Sequence, residues 1–170
     1  MLGRLCRRLS APVLAAALFG ACSPTRAPAP VPPAPAVQAL AGAVVDGMQR
    51  RGQPVGFVLR YTMATDPDHQ LGRPGSYVSR ADFSDTRLVP GGKGAPSRED
   101  ASGSVEVYAT VAEAQSRYAF FQAFEKDDKL IHERAILEGA VLLRLSQKLS
   151  GPQVDGYDAA LKTVLGLPAG

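Results

Sequence analysis

Apolar residues recur along this chain with two different periods, and the alternation between them outlines a fold. Val37, Leu40, Val44 and Met48 are spaced 3, 4 and 4 apart, the signature of one helical face. Gly52 is placed to end that helix and Pro54 prevents its resumption. Gly42 and Gly47 lie inside it, each weakening it by up to ~1 kcal/mol relative to Ala, so the helix depends on packing. The period then drops to two. Val55, Phe57, Leu59 and Tyr61 alternate with Gly56, Val58 and Arg60, predicting a strand over 55–62. A second strand is predicted over 77–85, with Tyr77, Ala81 and Phe83 on one side and Arg80 and Asp82 on the other. A third covers 104–109, where Val105 and Val107 alternate with Glu106 and Tyr108.

Thr110 and Glu113 have capping-box spacing, so a helix starts there. Ala114, Tyr118 and Phe121 form its stripe, broadened by Phe120 and Phe124. The charged run 125–129 closes it as a solvated turn. A fourth strand is predicted over 136–145, Val141 and Leu143 facing one way, Leu142 and Arg144 the other. Ser150 and Gln153 make a second capping box with Pro152 in the first turn. Val154, Tyr157, Leu161 and Val164 continue that helix until Gly166 and Pro168 end it. The order is α-βββ-α-β-α. It implies an α+β fold: a single small domain with an antiparallel sheet of about four strands and helices packed on one face. Two strand–helix–strand units are not visible, which argues against a doubly wound nucleotide-binding fold.

Composition divides the chain into three parts: 1–21, 22–36 and a globular stretch over 37–170. Residues 1–21 have the form of an export signal, with Arg4, Arg7 and Arg8 ahead of a short apolar run from Ala11 to Phe19. That run is shorter than the ~20 residues needed to span a bilayer core. It leads into Gly20-Ala21-Cys22, the pattern of a bacterial lipobox in which Cys22 is lipidated and becomes the new N-terminus. The lipobox prefers Leu at the third position before the cysteine. Phe19 stands there, with Leu18 one step earlier. An ordinary signal peptidase wants a small residue where Phe19 sits. Residues 23–35 contain six prolines. Such a stretch favours extended polyproline II and reads as a semi-rigid spacer of roughly 40 Å at ~3.1 Å per residue.

The formal charge of the whole chain is +3, from 19 Lys and Arg against 16 Asp and Glu. The three arginines ahead of the apolar run account for all of it. The mature chain is therefore near neutral, with no basic stripe for nucleic acid. Cys6 leaves with the signal, so Cys22 has no partner for an internal disulfide and the domain must be held by its core.

The residues 66–85, DPDHQLGRPGSYVSRADFSD, with SVEVYATVAEAQSRYAFFQ and GAVLLRLSQKLSGPQVDGYDAAL further on, resemble a group of uncharacterised exported lipoproteins from high-GC bacteria. The resemblance covers most of 61–161. It implies an exported lipoprotein and no particular activity.

Asp66, Asp68, His69 and Arg73, with Tyr77 beyond, form the cluster with most chemical potential. Two carboxylates and an imidazole within four residues suit acid–base work or a divalent cation. The same residues are favoured in turns, where Asp bonds its own following backbone, and Arg73 is placed to pin the loop by pairing Asp66 or Asp68. The spacing does not fit the twelve-residue Ca²⁺ loop. His132-Glu133 lacks the second His of a zinc-protease helix, because Ile136 stands there. Gly91-Gly92-Lys93-Gly94 is not a phosphate loop, since Gly94, Ala95 and Pro96 follow the lysine. No Gly-x-Ser-x-Gly elbow occurs. No metal or cofactor is expected.

The leading expectation is a non-catalytic module, anchored through Cys22 on the extracytoplasmic side of a cell or outer membrane. It would bind an envelope protein, peptide or cell-wall component through the 66–77 loop together with the 91–102 loop. A second is a small exported hydrolase using His69 with Asp66 or Asp68. A third is a structural subunit of an envelope assembly.

Overall fold

The computed structural model describes residues 34–91, 101–124 and 133–168. The expected export signal, Cys22, the expected tether up to residue 33, the Gly-rich run 92–100, the charged run 125–129 and His132 lie outside them. Helix α1 (Ala34–Arg50) begins inside the proline-rich stretch, with Pro35 in its first turn, where proline costs no helical hydrogen bond. Strands β1 (Val55–Arg60), β2 (Tyr77–Asp85) and β3 (Gly103–Tyr108) follow, then helix α2 (Val111–Phe124), strands β4 (Glu133–Glu138) and β5 (Val141–Ser146), and helix α3 (Gly151–Val164). The fold is α+β, as expected. Its five strands form one sheet in the order β1-β2-β3-β5-β4, every neighbouring pair antiparallel.

The fifth strand is a difference from the sequence reading. The span 136–145 is not one strand but a hairpin, β4 and β5, reversed at Gly139-Ala140. Gly139 takes φ 59°, a left-handed conformation that suits a tight turn, so the alternation of Leu and Ile continues through a reversal it does not reveal.

The helices also divide between the two sheet faces instead of sharing one. Ala41, Val45 and Met48 of α1 and Tyr157 and Leu161 of α3 pack on Ala81, Phe83, Val105, Leu143 and Leu145. Ala114 and Phe121 of α2 pack on the opposite face with Tyr61, Leu71, Tyr77, Tyr108 and Leu142. The sheet is thus covered on both sides. Leu40, expected on the buried stripe of α1, is 49% exposed, because the buried face is centred on Ala41, Val45 and Met48. Phe120 is likewise exposed on α2.

Both capping boxes form. The Thr110 amide donates to Glu113 Oε2 at 3.0 Å, and the Glu113 amide donates to Thr110 Oγ1 at 3.2 Å. At α3 the Ser150 amide donates to Gln153 Oε1 at 2.8 Å.

Two bulges decide which side chains reach which face. β1 carries one extra residue between Val55 and Val58 relative to β2, so Val55 and Val58 both reach the α1–α3 core while Leu59 and Tyr61 join the α2 core. β2 carries one extra residue between Tyr77 and Ser79 relative to β3. Tyr77 is therefore turned away from Ala81 and Phe83, where alternation had placed it, onto the face of Arg80 and Asp82. A one-residue slip inverts every side chain before it.

Candidate functional site

The bulge at Tyr77 brings its hydroxyl to the loop that joins β1 to β2. Asp66, the loop's buried centre, accepts from the amides of Gln70 at 2.7 Å and Leu71 at 2.9 Å through Oδ2, and from the Asp68 amide at 3.4 Å through Oδ1. The Tyr77 hydroxyl donates to the same carboxylate at 2.8 Å, and Arg80 Nη1 lies 3.3 Å from Oδ1. This is the self-bonding expected of an Asp in a turn, with a buried charge added. Burial alone would raise the Asp66 pKa. Hydrogen bonds from Leu71, Tyr77 and Gln70, with the Arg80 charge, outweigh it and hold the carboxyl below its ordinary value. Burial pushes the Tyr77 hydroxyl up, so it stays a donor.

Arg80 is the hub. It is 1% exposed, and its Nη1 also lies 2.5 Å from Asp68 Oδ2. Its Nε and Nη2 each lie 3.1 Å from one oxygen of Asp82. The Tyr61 hydroxyl donates to Asp82 at 2.9 Å, and the guanidinium stands over the rings of Tyr61 and Tyr77, 5.1 and 5.6 Å from their centroids. Burial would lower the Arg80 pKa, but the Asp82 charge overrides it and the group is held firmly protonated.

A second network lies beside the first on the α2 face. Arg144 Nη1 donates to Glu106 Oε1 at 2.6 Å, and its Nε donates to Glu133 Oε2 at 2.8 Å. Tyr108 donates to Glu106 Oε2 at 2.7 Å. The Arg144 guanidinium stands 4.5 Å from the Phe121 ring centroid, so α2 closes over it. Tyr77 and Tyr108, edge to face at 6.4 Å, link the two networks. The register sets Arg80 opposite Glu106 and Ser104 between Asp82 and Arg144.

Of the five residues singled out in the sequence, the structure gathers Asp66, Asp68 and Tyr77 around Arg80. It leaves His69 and Arg73 exposed. Arg73 does not pin the loop; Arg80, fourteen residues from Asp66 along the chain, does. His69 adopts φ 52° at the loop tip, its amide donating to the Asp66 carbonyl at 3.1 Å. Among the described residues no ion pair joins His69 to a carboxylate, and Asp66 faces inward. This is the geometry of a turn. Among the described residues, no group of three or more His, Cys, Asp or Glu is placed to hold a metal ion, and no helix is long and apolar enough to cross a membrane.

Of the two loops expected to share one surface, 61–76 precedes Tyr77 at one end of β2, and residues 86–91 follow Asp85 at the other; residues 92–100 of the second loop lie outside the described residues. Nine strand residues separate the 61–76 loop from Thr86, about 30 Å at ~3.3 Å per residue. The 61–76 loop and the 139–140 turn stand at the same end of the sheet, since β5 begins where β2 begins and the Tyr108 amide donates to the Ala140 carbonyl at 2.9 Å.

Arg80, Glu106 and Arg144 went unrecognised as partners. Their signal is present, because each is the charged alternate of an otherwise apolar strand, and an apolar helical stripe over 114–121 required a sheet face to cover. Compared with protein-family models, curated proteins and solved structures, the chain matches none.

Proposed function

We propose that this chain is a cell-envelope lipoprotein anchored through Cys22, and that its folded domain is a non-catalytic binding module presenting the 62–76 loop. One observation supports the binding reading. The loop is long and outward-facing, yet its backbone is fastened at its centre by a buried carboxylate that takes two backbone amides at hydrogen-bond lengths under 3 Å. Met63, His69, Gln70 and Arg73 stand exposed on that held frame. Met63 Sδ approaches the position of a side chain on Gly72, so the two strands of the loop meet. A loop ordered before its partner arrives loses less entropy on binding. The charged groups beneath are paired with one another, which suits a supporting frame better than chemistry.

The test is the full-length chain carrying His69→Asn and Arg73→Ala, with Asn chosen because it tolerates the left-handed backbone at 69. Thermal unfolding should be unchanged, while in-cell crosslinking should lose an envelope protein or cell-wall adduct that the parent forms. An identical set of adducts would overturn the choice of surface. The anchor is tested separately. Cys22→Ala should release the protein from the membrane fraction, and mass spectrometry of the parent should find acyl chains at Cys22.

A further inference from the structure

The hydroxyl of Ser104 is buried, the residue being 4% exposed, and Oγ has no hydrogen-bond partner among the described residues. A buried hydroxyl without a partner costs about 1–3 kcal/mol, so such groups are rare in folded proteins. Ser104 lines a cavity of about 50 Å³ with Arg80, Asp82, Glu133, Arg144, Ala101 and Gly103. One water needs roughly 10–15 Å³ of such space, so the cavity has room for about three to five.

The walls decide what chemistry fits. Two guanidiniums face two carboxylates, Arg80 with Asp82 and Arg144 with Glu133. Behind them stand Asp66 and Asp68 on Arg80, and Glu106 on Arg144, with Arg117 as the nearby cation 3.8 Å from Glu106. The lining is balanced and its backing is acidic, which opposes a guest anion. A guest cation would meet two guanidiniums. A neutral guest with both donors and acceptors is favoured. Among the described residues, Nε, Nη1 and Nη2 of Arg144 make one protein hydrogen bond each, whereas a guanidinium has five N–H groups, so donors remain for it.

We infer that this cavity is an internal hydration site, in which ordered water bonds Ser104 Oγ and bridges the Arg80–Asp82 pair to the Arg144–Glu133 pair. The water joins the frame beneath the β1–β2 loop to the β4–β5 hairpin across β3. Bridging water of this kind contributes nearly as much as a direct hydrogen bond.

The experiment is a high-resolution crystal structure of the full chain, with and without a bromide soak, beside oxygen-17 relaxation dispersion in solution. The expected result is a water peak within about 3.2 Å of Ser104 Oγ and no bromide in the cavity. Ser104→Val should take up part of the space and remove at least one long-lived water from the dispersion signal. Should that variant fail to fold, Ser104→Ala serves the same purpose, with the peak at the former Oγ position lost or displaced. Bromide in the cavity, a cavity without density, or a Ser104 hydroxyl bonded directly to protein would each overturn the inference.

Discussion

Arg80 and Asp82, two residues apart on one strand, form a two-pronged pair: Nε lies 3.1 Å from Oδ1 and Nη2 lies 3.1 Å from Oδ2. Alternate residues of a strand share a face, so the pair needs no tertiary contact to form. Its burial does. With Tyr61, Tyr77 and the 61–76 loop packed against it, both side chains are almost fully removed from water. The pair therefore anchors everything attached to it, including Asp66, Asp68 and Tyr61.

Replacing Arg80 strips one cation from three carboxylates. Arg80→Met should cost about 3–5 kcal/mol, the range for breaking a buried charge pair from one side. Arg80→Lys should recover only part of this, because an ammonium cannot present a fork to Asp82 while also reaching Asp68. Urea unfolding at neutral pH measures both.

The Asp66 hub separates loop order from global stability. Tyr77→Phe removes one hydrogen bond to a charged acceptor, about 1.5–3 kcal/mol. Asp66→Asn removes the charge that faces Arg80 and weakens the bonds to Gln70 and Leu71, and should cost more. It should also open the 62–76 loop to protease before the domain unfolds, whereas a parent-like cleavage pattern would show that the carboxylate does not hold the loop.

Acid should act through Asp66 and Asp85. Burial alone would raise both. For Asp85 the hydrogen bonds from the Arg87 side chain and amide and from the Tyr157 hydroxyl, with the Arg87 charge, more than compensate, as the loop amides and Tyr77 do for Asp66. Both folded pKa values therefore lie below those of the unfolded chain. The unfolded state takes up protons first as pH falls. The stabilisation is complete above the unfolded carboxyl value of about 3.9 and is lost as pH drops through that value toward the folded ones. Urea midpoints followed from neutral pH into acid should fall over that window, and Asp66→Asn and Asp85→Asn should each flatten the fall.

The two glycines of α1 should respond oppositely to alanine. A Cβ on Gly47 would lie 2.8 Å from Val164 Cγ2 and 3.0 Å from Cγ1. Rotating a branched side chain cannot withdraw both methyls. Gly47→Ala should lose about 1–3 kcal/mol to overpacking despite its better helix propensity, and adding Val164→Ala should restore part of it. A Cβ on Gly42 would meet the Arg60 side chain, whose pairing with Asp46 is exposed and easily displaced. Gly42→Ala should be neutral or stabilising in the same unfolding assay.

Much of the fold was legible because its causes are local. Thr110 with Glu113 and Ser150 with Gln153 mark two helix starts through backbone groups three residues away. Alternation at Val105 and Val107 identifies a strand whatever surrounds it. The hairpin at Gly139 was hidden because a two-residue reversal leaves the apolar run intact. The face of Tyr77 was hidden because a bulge inserts one residue without changing composition. At the site, Asp66 and Asp68 stood out as turn residues, and their role as such holds. Arg80 did not stand out, since its partnership with Asp66 spans fourteen positions.

By itself, then, the order of residues determined where α2 and α3 begin, that 77–85 and 104–108 are strands, and that Asp66 would bind its own loop. Each rests on interactions between near neighbours in the chain. Only the tertiary structure decided that the charged side of the sheet is an interior. Alternation defines two faces but does not say which meets water, and the answer came from α2 packing over Glu106 and Arg144 and from the 61–76 loop closing on Arg80. Once covered, those charges had to find one another, because an unpaired charge away from water is too unfavourable to persist.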